Sequence, residues 1–159
     1  MTAQTTPLQR ELRQRKPFPA VSQACVVSLF RTTDLLRRRT ATVVEPSGIT
    51  LQQFNVLRIL RGGGEDGLPT LDVADRMVEQ TPGVTRLLDR LEAKGLVRRQ
   101  RCPKDRRQHL CWITAQGRDV LAALDRPIVE SSEDNLKGLS PGDQETLLRL
   151  LNVIRAAHE

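Results

Sequence analysis

The sequence predicts a mainly α-helical fold with a small β-hairpin, arranged as a winged helix-turn-helix. Three observations carry this prediction. Apolar residues recur at helical spacing along most of the chain, two helix-start signals follow each other closely, and two short strand-like runs flank a basic turn. The 159 residues include three Phe, one Trp and no Tyr, which leaves room for only a small sheet. A chain of this length forms about one domain.

The start of the chain predicts a flexible arm followed by a long helix. Residues 1–17 are polar and basic, so we expect a flexible basic arm there and a single domain over 18–159. Apolar or small side chains then recur at helical spacing to about Val44, beginning with Val21, Cys25, Leu29, Thr32 and Leu36. The sequence Pro46-Ser47-Gly48 ends this first helix.

Three helices are expected next, and the second and third form a helix-turn-helix. Thr50 is the expected N-cap of the first, which ends at the glycines of residues 62–64. Thr70 is the expected N-cap of the second, a short helix with three inward side chains, Leu71, Ala74 and Met77. Thr81 followed by Pro82 predicts the start of the third, which Gly95 closes. The third helix has one apolar stripe, at Val84, Leu87, Leu88 and Leu91.

A basic hairpin and two more helices complete the predicted fold. Strand-like runs at 96–102 and 108–114 flank the turn 103–107, which makes a wing. Thr114 and Ser140 are the expected N-caps of the last two helices. Their apolar stripes are Val120, Leu121, Leu124 and Ile128, and then Leu147, Leu148, Leu151 and Ile154.

The excess of basic over acidic charge lies in one window of the chain. Residues 86–107 hold nine basic and three acidic side chains, a net charge of +6, which equals the net charge of the whole chain. A concentrated positive surface predicts a polyanionic partner, here double-stranded DNA. The recognition helix of such a fold enters the major groove N-terminus first, while a basic hairpin tip reaches a minor groove. The expected DNA contacts are Thr81, Gly83, Thr85, Arg86, Arg90, Lys104, Arg106 and Arg107. For Arg90 and Lys94, surface ion pairs with Asp89 and Glu92 are an equal alternative.

Four segments resemble the MarR family of bacterial transcriptional regulators: residues 50–54 (TLQQF), residues 85–97 (TRLLDRLEAKGLV), residues 105–107 (DRR) and residues 113–117 (ITAQG). The resemblance implies a homodimer on a pseudo-palindromic operator, acting as a ligand-responsive repressor. Residues 18–48 and 115–159 would be dimerisation helices, and residues 50–114 the winged helix-turn-helix with its wing at 96–114. Thr85 and Arg86 would contact DNA, and Arg107 would enter the minor groove. Asp105 would support the wing through an ion pair. The family also implies a small phenolic or lipophilic effector, bound between the dimerisation and DNA-binding regions.

Two other functions remain open from the sequence. Cys25 lies near the place where some members of the family sense oxidants, which suggests a thiol-based regulator, although a small buried Cys on an apolar helix face is ordinary. A winged helix used for non-specific DNA or protein binding is the second alternative. Cys102, His109 and Cys111 match no standard zinc pattern, so no metal and no cofactor is expected. No catalytic constellation, membrane span or signal peptide is evident, and a cytoplasmic protein that is not an enzyme is expected.

Overall fold

A computed structural model describes residues 7–79, 83–103, 105 and 107–158. The chain divides into two compact units, residues 1–39 and residues 40–159. Helices make up most of the described chain, and three short strands form one sheet. The structure therefore confirms the predicted fold class, mainly α with a small β element.

The first unit contains a short helix, α1 (Pro7–Glu11), and most of the long helix α2 (Val21–Val44). The α2 bounds agree with the prediction. Helix α1 lies within the stretch expected to be an arm, and the Nε2 of the buried Gln9 donates a hydrogen bond to the carbonyl of Lys16 at 3.2 Å. This part of the arm therefore has local structure, whereas residues 1–6 lie outside the described residues.

The second unit begins with a single 3₁₀ turn (Glu45–Ser47) and then alternates helices and strands. Its elements are α3 (Leu51–Arg61), β1 (Leu68–Pro69), α4 (Thr70–Asp75), α5 (Val84–Ala93), β2 (Val97–Arg101), β3 (His109–Ile113), α6 (Ala115–Leu136) and α7 (Pro141–Ala156). The order α4, α5, β2, β3 is the predicted helix-turn-helix followed by a wing.

Side-chain caps start three of these helices, as the sequence predicts. Thr50 forms a capping box with Gln53 at the start of α3, and Ser140 forms one with Asp143 at the start of α7. Thr114 accepts a hydrogen bond from the backbone N–H of Gly117 at 3.0 Å and donates one to the carbonyl of Gly95 at 2.7 Å. The cap of α6 thus also ties this helix to the end of α5.

The sheet has the order β1-β3-β2, with both neighbours antiparallel. In the hairpin, Val97 pairs with Ile113 and Arg101 with His109. Strand β1 was not predicted, and it adds two pairs along the other edge of β3, Leu68 with Cys111 and Pro69 with Leu110. The expected hairpin is therefore the outer part of a three-stranded sheet.

The core joins α3, α5 and α6 beneath this sheet. Its largest fully buried side chains include Leu57, Leu88, Leu91 and Leu121. At the surface above it, the guanidinium of Arg61 in α3 makes two hydrogen bonds of 2.9 Å to the carboxylate of Asp125 in α6. These hydrogen bonds lower the pKa of Asp125 below its ordinary value.

Helix α4 differs from its prediction. Pro69 is its N-cap and Thr70 its first residue, and the Thr70 hydroxyl donates to the carbonyl of His109 at 3.4 Å. With Thr70 turned to the sheet, Val73 faces the core and is fully buried, whereas Leu71 is 72% exposed. The predicted inward position of Leu71 is wrong, because pairing of β1 with β3 sets the start of α4 one residue early.

Helix α7 has no buried residue, although its sequence is strongly apolar on one side. Leu148 and Val153 are each 59% exposed, and the side chains of Leu147 and Leu151 are half-buried. Helix α6 contains Pro127, which has no N–H to donate within the helix. No helix among the described residues is both long and apolar enough to cross a bilayer.

Candidate nucleic-acid interface

Helix α5 separates an apolar face from a polar one. Val84, Leu87, Leu88 and Leu91 are buried, as the spacing predicts. The opposite face exposes Thr85, Arg86, Asp89 and Arg90. Because the apolar stripe fixes the rotation of the helix against the core, the polar face is held outward as one surface.

The N-terminus of α5 is formed by Gly83, whose φ of 104° lies in the region that favours glycine. Gly83 is exposed and brings no side chain to cap the helix. The predicted cap and DNA contact Thr81 lies outside the described residues. The described part of the helix starts at Val84, so the first backbone N–H groups of α5 lie next to an exposed glycine.

Arg99 of β2 is the residue that holds the wing to α5. Its backbone N–H donates to Glu92 at 3.0 Å, and its guanidinium donates to Glu92 at 2.9 and 2.7 Å. The same guanidinium donates to Asp89 at 2.5 Å. Partial burial opposes its charge, but the hydrogen bonds to Glu92 and Asp89 outweigh this and raise the pKa of Arg99.

This pairing corrects the alternative considered for Arg90 and Lys94. Both acids of α5 pair with Arg99, a partner on the next element, and Lys94 donates to the carbonyl of Gly48 at 2.5 Å. Within the described part of the chain, Arg86 and Arg90 make no ion pair. The two arginines of the exposed α5 face therefore keep their charge available to an external anion.

The wing tip is organised around Asp105. Its Oδ1 accepts a hydrogen bond from the backbone N–H of Arg107 at 2.9 Å, and its carbonyl accepts one from the N–H of Gln108 at 3.0 Å. The contact that the structure shows between Asp105 and Arg107 is thus a backbone hydrogen bond that closes the turn, and the ion pair that the resemblance implies for Asp105 stays a prediction. Arg107 itself is exposed. Lys104 and Arg106 lie outside the described residues.

One groove brings α5 and the wing together. It has a volume of about 500 Å³ and is lined by Thr70 and Asp72 of α4, Thr85 of α5, and Arg107 and His109 of the wing, among others. Thr85 and Arg107, two of the predicted contacts, therefore line the same groove. Gly83, Arg86 and Arg90 lie outside its lining. The carboxylate of Asp72 shows that the groove is not uniformly positive.

Sequence reasoning missed two residues of the wing, at the pair of strand positions nearest its tip. Arg101 is exposed at the end of β2 and pairs with His109, whose side chain is also exposed. Both lie on the same face of the hairpin as Arg99, because side chains alternate along a strand. The signal was present in the sequence, since Arg101 belongs to the basic window, but its face depends on the strand register.

A second cavity lies on the other side of the unit, between α3, α6 and the segment that follows α4. Its volume is about 220 Å³, and its wall is mostly apolar, with Phe54, Met77 and Ile128 among the lining residues. Four polar or charged side chains also line it, namely Gln52, Asn55, Arg58 and Glu79. Asn55 is 9% exposed and its amide contacts the sulfur of Met77 at 3.7 Å, and Arg58 lies one turn further along α3.

The three cysteines lie in different environments. Cys25 is exposed, so its expected place on a buried helix face is wrong. It lines a cavity together with three residues of α1, Pro7, Leu8 and Glu11. Cys102 is half-buried and Cys111 fully buried. Cys111 pairs with Arg99 across the hairpin, so Cys102 is not its cross-strand partner. Burial raises the pKa of the Cys111 thiol.

Comparison with known proteins places this geometry among regulators. The model of the MarR family matches residues 47–108. The transcriptional regulator HosA of Escherichia coli is 32% identical over 104 residues, which are 65% of this chain and 75% of that protein.

Solved structures agree in fold. The S. aureus MepR–DNA complex is 25% identical with a TM-score of 0.74, over 82% of this chain and 96% of that one. Bordetella bronchiseptica BpsR was solved to explain regulation of its DNA binding by 6-hydroxynicotinic acid. It is also 25% identical, with a TM-score of 0.71, over 80% of this chain and 95% of that one.

Proposed function

Since the chain belongs to the MarR family of transcriptional regulators, we propose that it binds a pseudo-palindromic operator as a homodimer and represses transcription until a small effector binds. The observation that carries the proposal is the exposed basic surface made by α5 and the wing. Arg86, Arg90 and Arg107 are exposed there, while the acids of α5 are neutralised by Arg99.

Sequence-specific recognition follows from the way these parts fit B-DNA. A helix of the width of α5 fits the major groove, where side chains such as those of Thr85 and Arg86 meet base edges. The wing arginine Arg107 suits a narrow minor groove, whose negative potential attracts guanidinium groups. Gly83, at the start of α5, lets the helix terminus approach a phosphate closely. Thr81, Lys104 and Arg106 complete the proposed contact set.

A homodimer is supported by apolar side chains that this chain leaves exposed. On α2 they include Val26 and Phe30, and on α7 they include Leu148, Val153 and Ile154. Exposed apolar faces of this kind on helices mark interaction surfaces. A second copy of the chain is the proposed occupant, and it would supply the second recognition helix that a two-fold symmetric operator requires.

An effector response is supported by the cavity between α3 and α6. Met77, Val78 and Glu79 line it and stand immediately before residues 80–82, which lead into α5. A molecule bound there contacts the segment that positions the recognition helix, so it favours one α5 placement over another. The apolar wall suits a single aromatic ring, and Arg58 and Asn55 would pair with a carboxylate on the part of that ring that faces them, while Glu79 would repel a carboxylate on its own side. The relative BpsR responds to an acid of this class.

Operator binding is tested by selecting duplexes from a random-sequence library with the purified protein. The selected duplex and a scrambled one are then titrated by fluorescence anisotropy across a salt series. We expect the selected duplex to bind about a thousandfold more tightly, with affinity falling steeply as salt rises. Equal affinity for both duplexes would instead indicate the non-specific module.

The effector site is tested in the same assay with benzoate and 6-hydroxynicotinic acid as probes. We expect at least one of them to weaken binding of the selected duplex, and Asn55→Leu, which fills the cavity with an apolar side chain, to reduce that response. If neither probe changes the DNA affinity or the thermal unfolding midpoint, the proposal of a single-ring acid as the effector of this cavity is wrong.

A further inference from the structure

Trp112, the single tryptophan of the chain, fastens the wing to the loop that follows α3. Its Nε1–H donates a hydrogen bond of 2.8 Å to the carbonyl of Glu65. On the same face of the sheet, the guanidinium of Arg98 lies over its ring, 4.1 Å from the ring centroid. Arg98 and Trp112 are cross-strand partners in β2 and β3, so the ring joins both strands of the wing to one loop.

Gly67 is shaped to receive this ring. A Cβ added at Gly67 would lie 2.7 Å from Nε1 of Trp112 and 2.8 Å from Cζ2, closer than real Cβ contacts. Gly67 also has a φ of 74°, which side-chain-bearing residues rarely adopt. The loop therefore passes the indole at a distance that only glycine permits.

The other tie between the wing and this loop is short. Strand β1 has two residues, and one of them, Pro69, has no N–H to donate to β3. Two pairs, Leu68 with Cys111 and Pro69 with Leu110, hold this edge of β3. The hydrogen bond from Trp112 to Glu65 lies just beyond them and extends the attachment of β3 along the chain.

We propose that Trp112 is a positioning residue for DNA binding, which fixes the direction of the wing so that Arg107 meets the minor groove. Strand β3 runs from the wing tip to its base, and Trp112 holds the base. Without the indole, this edge of β3 is held by the two-residue β1 and by Thr70 of α4, so more of the ordering of the wing must occur when DNA binds. This inference rests on the proposed function of the wing in operator binding.

A double-mutant cycle tests the proposal, with the duplex selected by the wild-type protein as probe. We expect Trp112→Leu to weaken binding about threefold to tenfold, the cost of ordering a few side chains on association. In an Arg107→Ala background, the same substitution should change affinity by less than about twofold, since the arginine that it positions is already absent. Equal losses in both backgrounds would overturn the proposal.

Two further variants perturb the same contact, one from the loop and one from the ring. Gly67→Ala displaces the ring without changing it, and should reproduce the loss of affinity together with a shift of the tryptophan emission. Trp112→Phe keeps a ring but loses the N–H donor, and should fall between Trp112→Leu and wild type. Unchanged affinity in Gly67→Ala, with a shifted emission, would contradict the proposal.

Gln100→Ala is the matched control, because Gln100 lies on the same face of β2 as Arg98 and is exposed. It should bind as wild type, and a loss equal to that of Trp112→Leu would contradict a specific role for the indole. If selection returns no preferred duplex, the proposed function fails and this inference with it. A preferred duplex with equal losses in both backgrounds overturns this inference alone.

Discussion

Arg99 and Glu92 are joined by three hydrogen bonds, one from the backbone N–H of Arg99 at 3.0 Å and two from its guanidinium at 2.9 and 2.7 Å. The pair connects strand β2 to helix α5, so the two elements that would touch DNA are fixed to each other. It also neutralises a carboxylate that would otherwise repel phosphate. Arg99, although it belongs to the basic window, thus holds β2 and α5 in place and does not add unpaired positive charge to the surface.

Replacing Arg99 by Met should therefore lower both stability and DNA affinity. The Arg99 side chain is 19% exposed and its partners are charged but more exposed, so we expect a loss of about 1 kcal/mol in the free energy of unfolding. Urea denaturation measures it. Arg101→Met is the matched control, because Arg101 is exposed on the same strand and should leave the midpoint unchanged. An equal effect of both substitutions would show that the clamp does not stabilise the fold.

Arg107→Ala should weaken binding of the selected duplex by about tenfold or more, since a minor-groove arginine contributes attraction and shape readout together. Its thermal unfolding midpoint and oligomeric state should not change, because Arg107 is exposed at the wing tip. Anisotropy titration and light scattering check the two parts. Arg118→Ala removes the same charge from α6 and should bind DNA nearly as tightly as wild type. If both variants lose DNA affinity equally, the effect of Arg107→Ala comes from net charge and not from a minor-groove contact.

Acid should remove the contribution of the Arg61–Asp125 pair. The pKa of Asp125 is lowered in the folded state, so its stabilisation is complete above the ordinary aspartate pKa and is lost as the pH falls through the folded value. We expect Asp125→Asn to lower the urea midpoint at pH 7 and to differ less from wild type below about pH 4. Asp119→Asn, on the same helix, is the control, and its difference in urea midpoint from wild type should not shrink as the pH falls. A constant difference between Asp125→Asn and wild type would contradict the assignment.

Thiol reactivity should follow exposure. Cys111 is fully buried and burial raises the pKa of its thiol, so N-ethylmaleimide should label it only after unfolding. Mass spectrometry of labelled peptides in native buffer and in urea measures this directly. Labelling of Cys111 at the native rate of Cys102 would contradict its burial. Cys25→Ser, compared with wild type after peroxide treatment, tests the redox alternative through DNA affinity.

Leu148→Glu should dissociate the proposed dimer, because it places a charge within the exposed apolar face of α7. Sedimentation equilibrium should show a larger monomer fraction and a retained helical fold. Arg149→Glu introduces a carboxylate at an exposed polar position of the same helix and should leave the dimer intact. A monomeric wild-type protein at micromolar concentration would count against the dimer from the start.

The parts of the fold that depend on local chemistry were predictable. Thr50, Thr114 and Ser140 start their helices as expected, because a cap is decided by residues within one turn. The buried stripe of α5 was predictable too, since periodicity alone fixes it. Strand β1 was not predicted, because two residues carry no periodicity and pair only when β3 is in place.

The site was less predictable than the fold. The basic window identified the surface, but the partner of each charge depends on strand register, which placed Arg99 beside Glu92 and left Arg90 free of ion pairs among the described residues. The exposure of Leu71 and Cys25 also departed from helical periodicity. In both cases the periodicity of an isolated helix does not show which face its neighbours cover.

The glycine at the start of α5 links folding to recognition. Helices α3, α6 and α7 each begin with a side chain that satisfies an early backbone N–H, whereas Gly83 offers none. The proposed DNA phosphate at this terminus would accept hydrogen bonds from the first backbone N–H groups of α5, which Gly83 cannot cap because it has no side chain. Binding of the duplex would then also stabilise the folded protein. An operator duplex should therefore raise the melting temperature of the protein, and the amides of the first turn of α5 should gain hydrogen-exchange protection on binding.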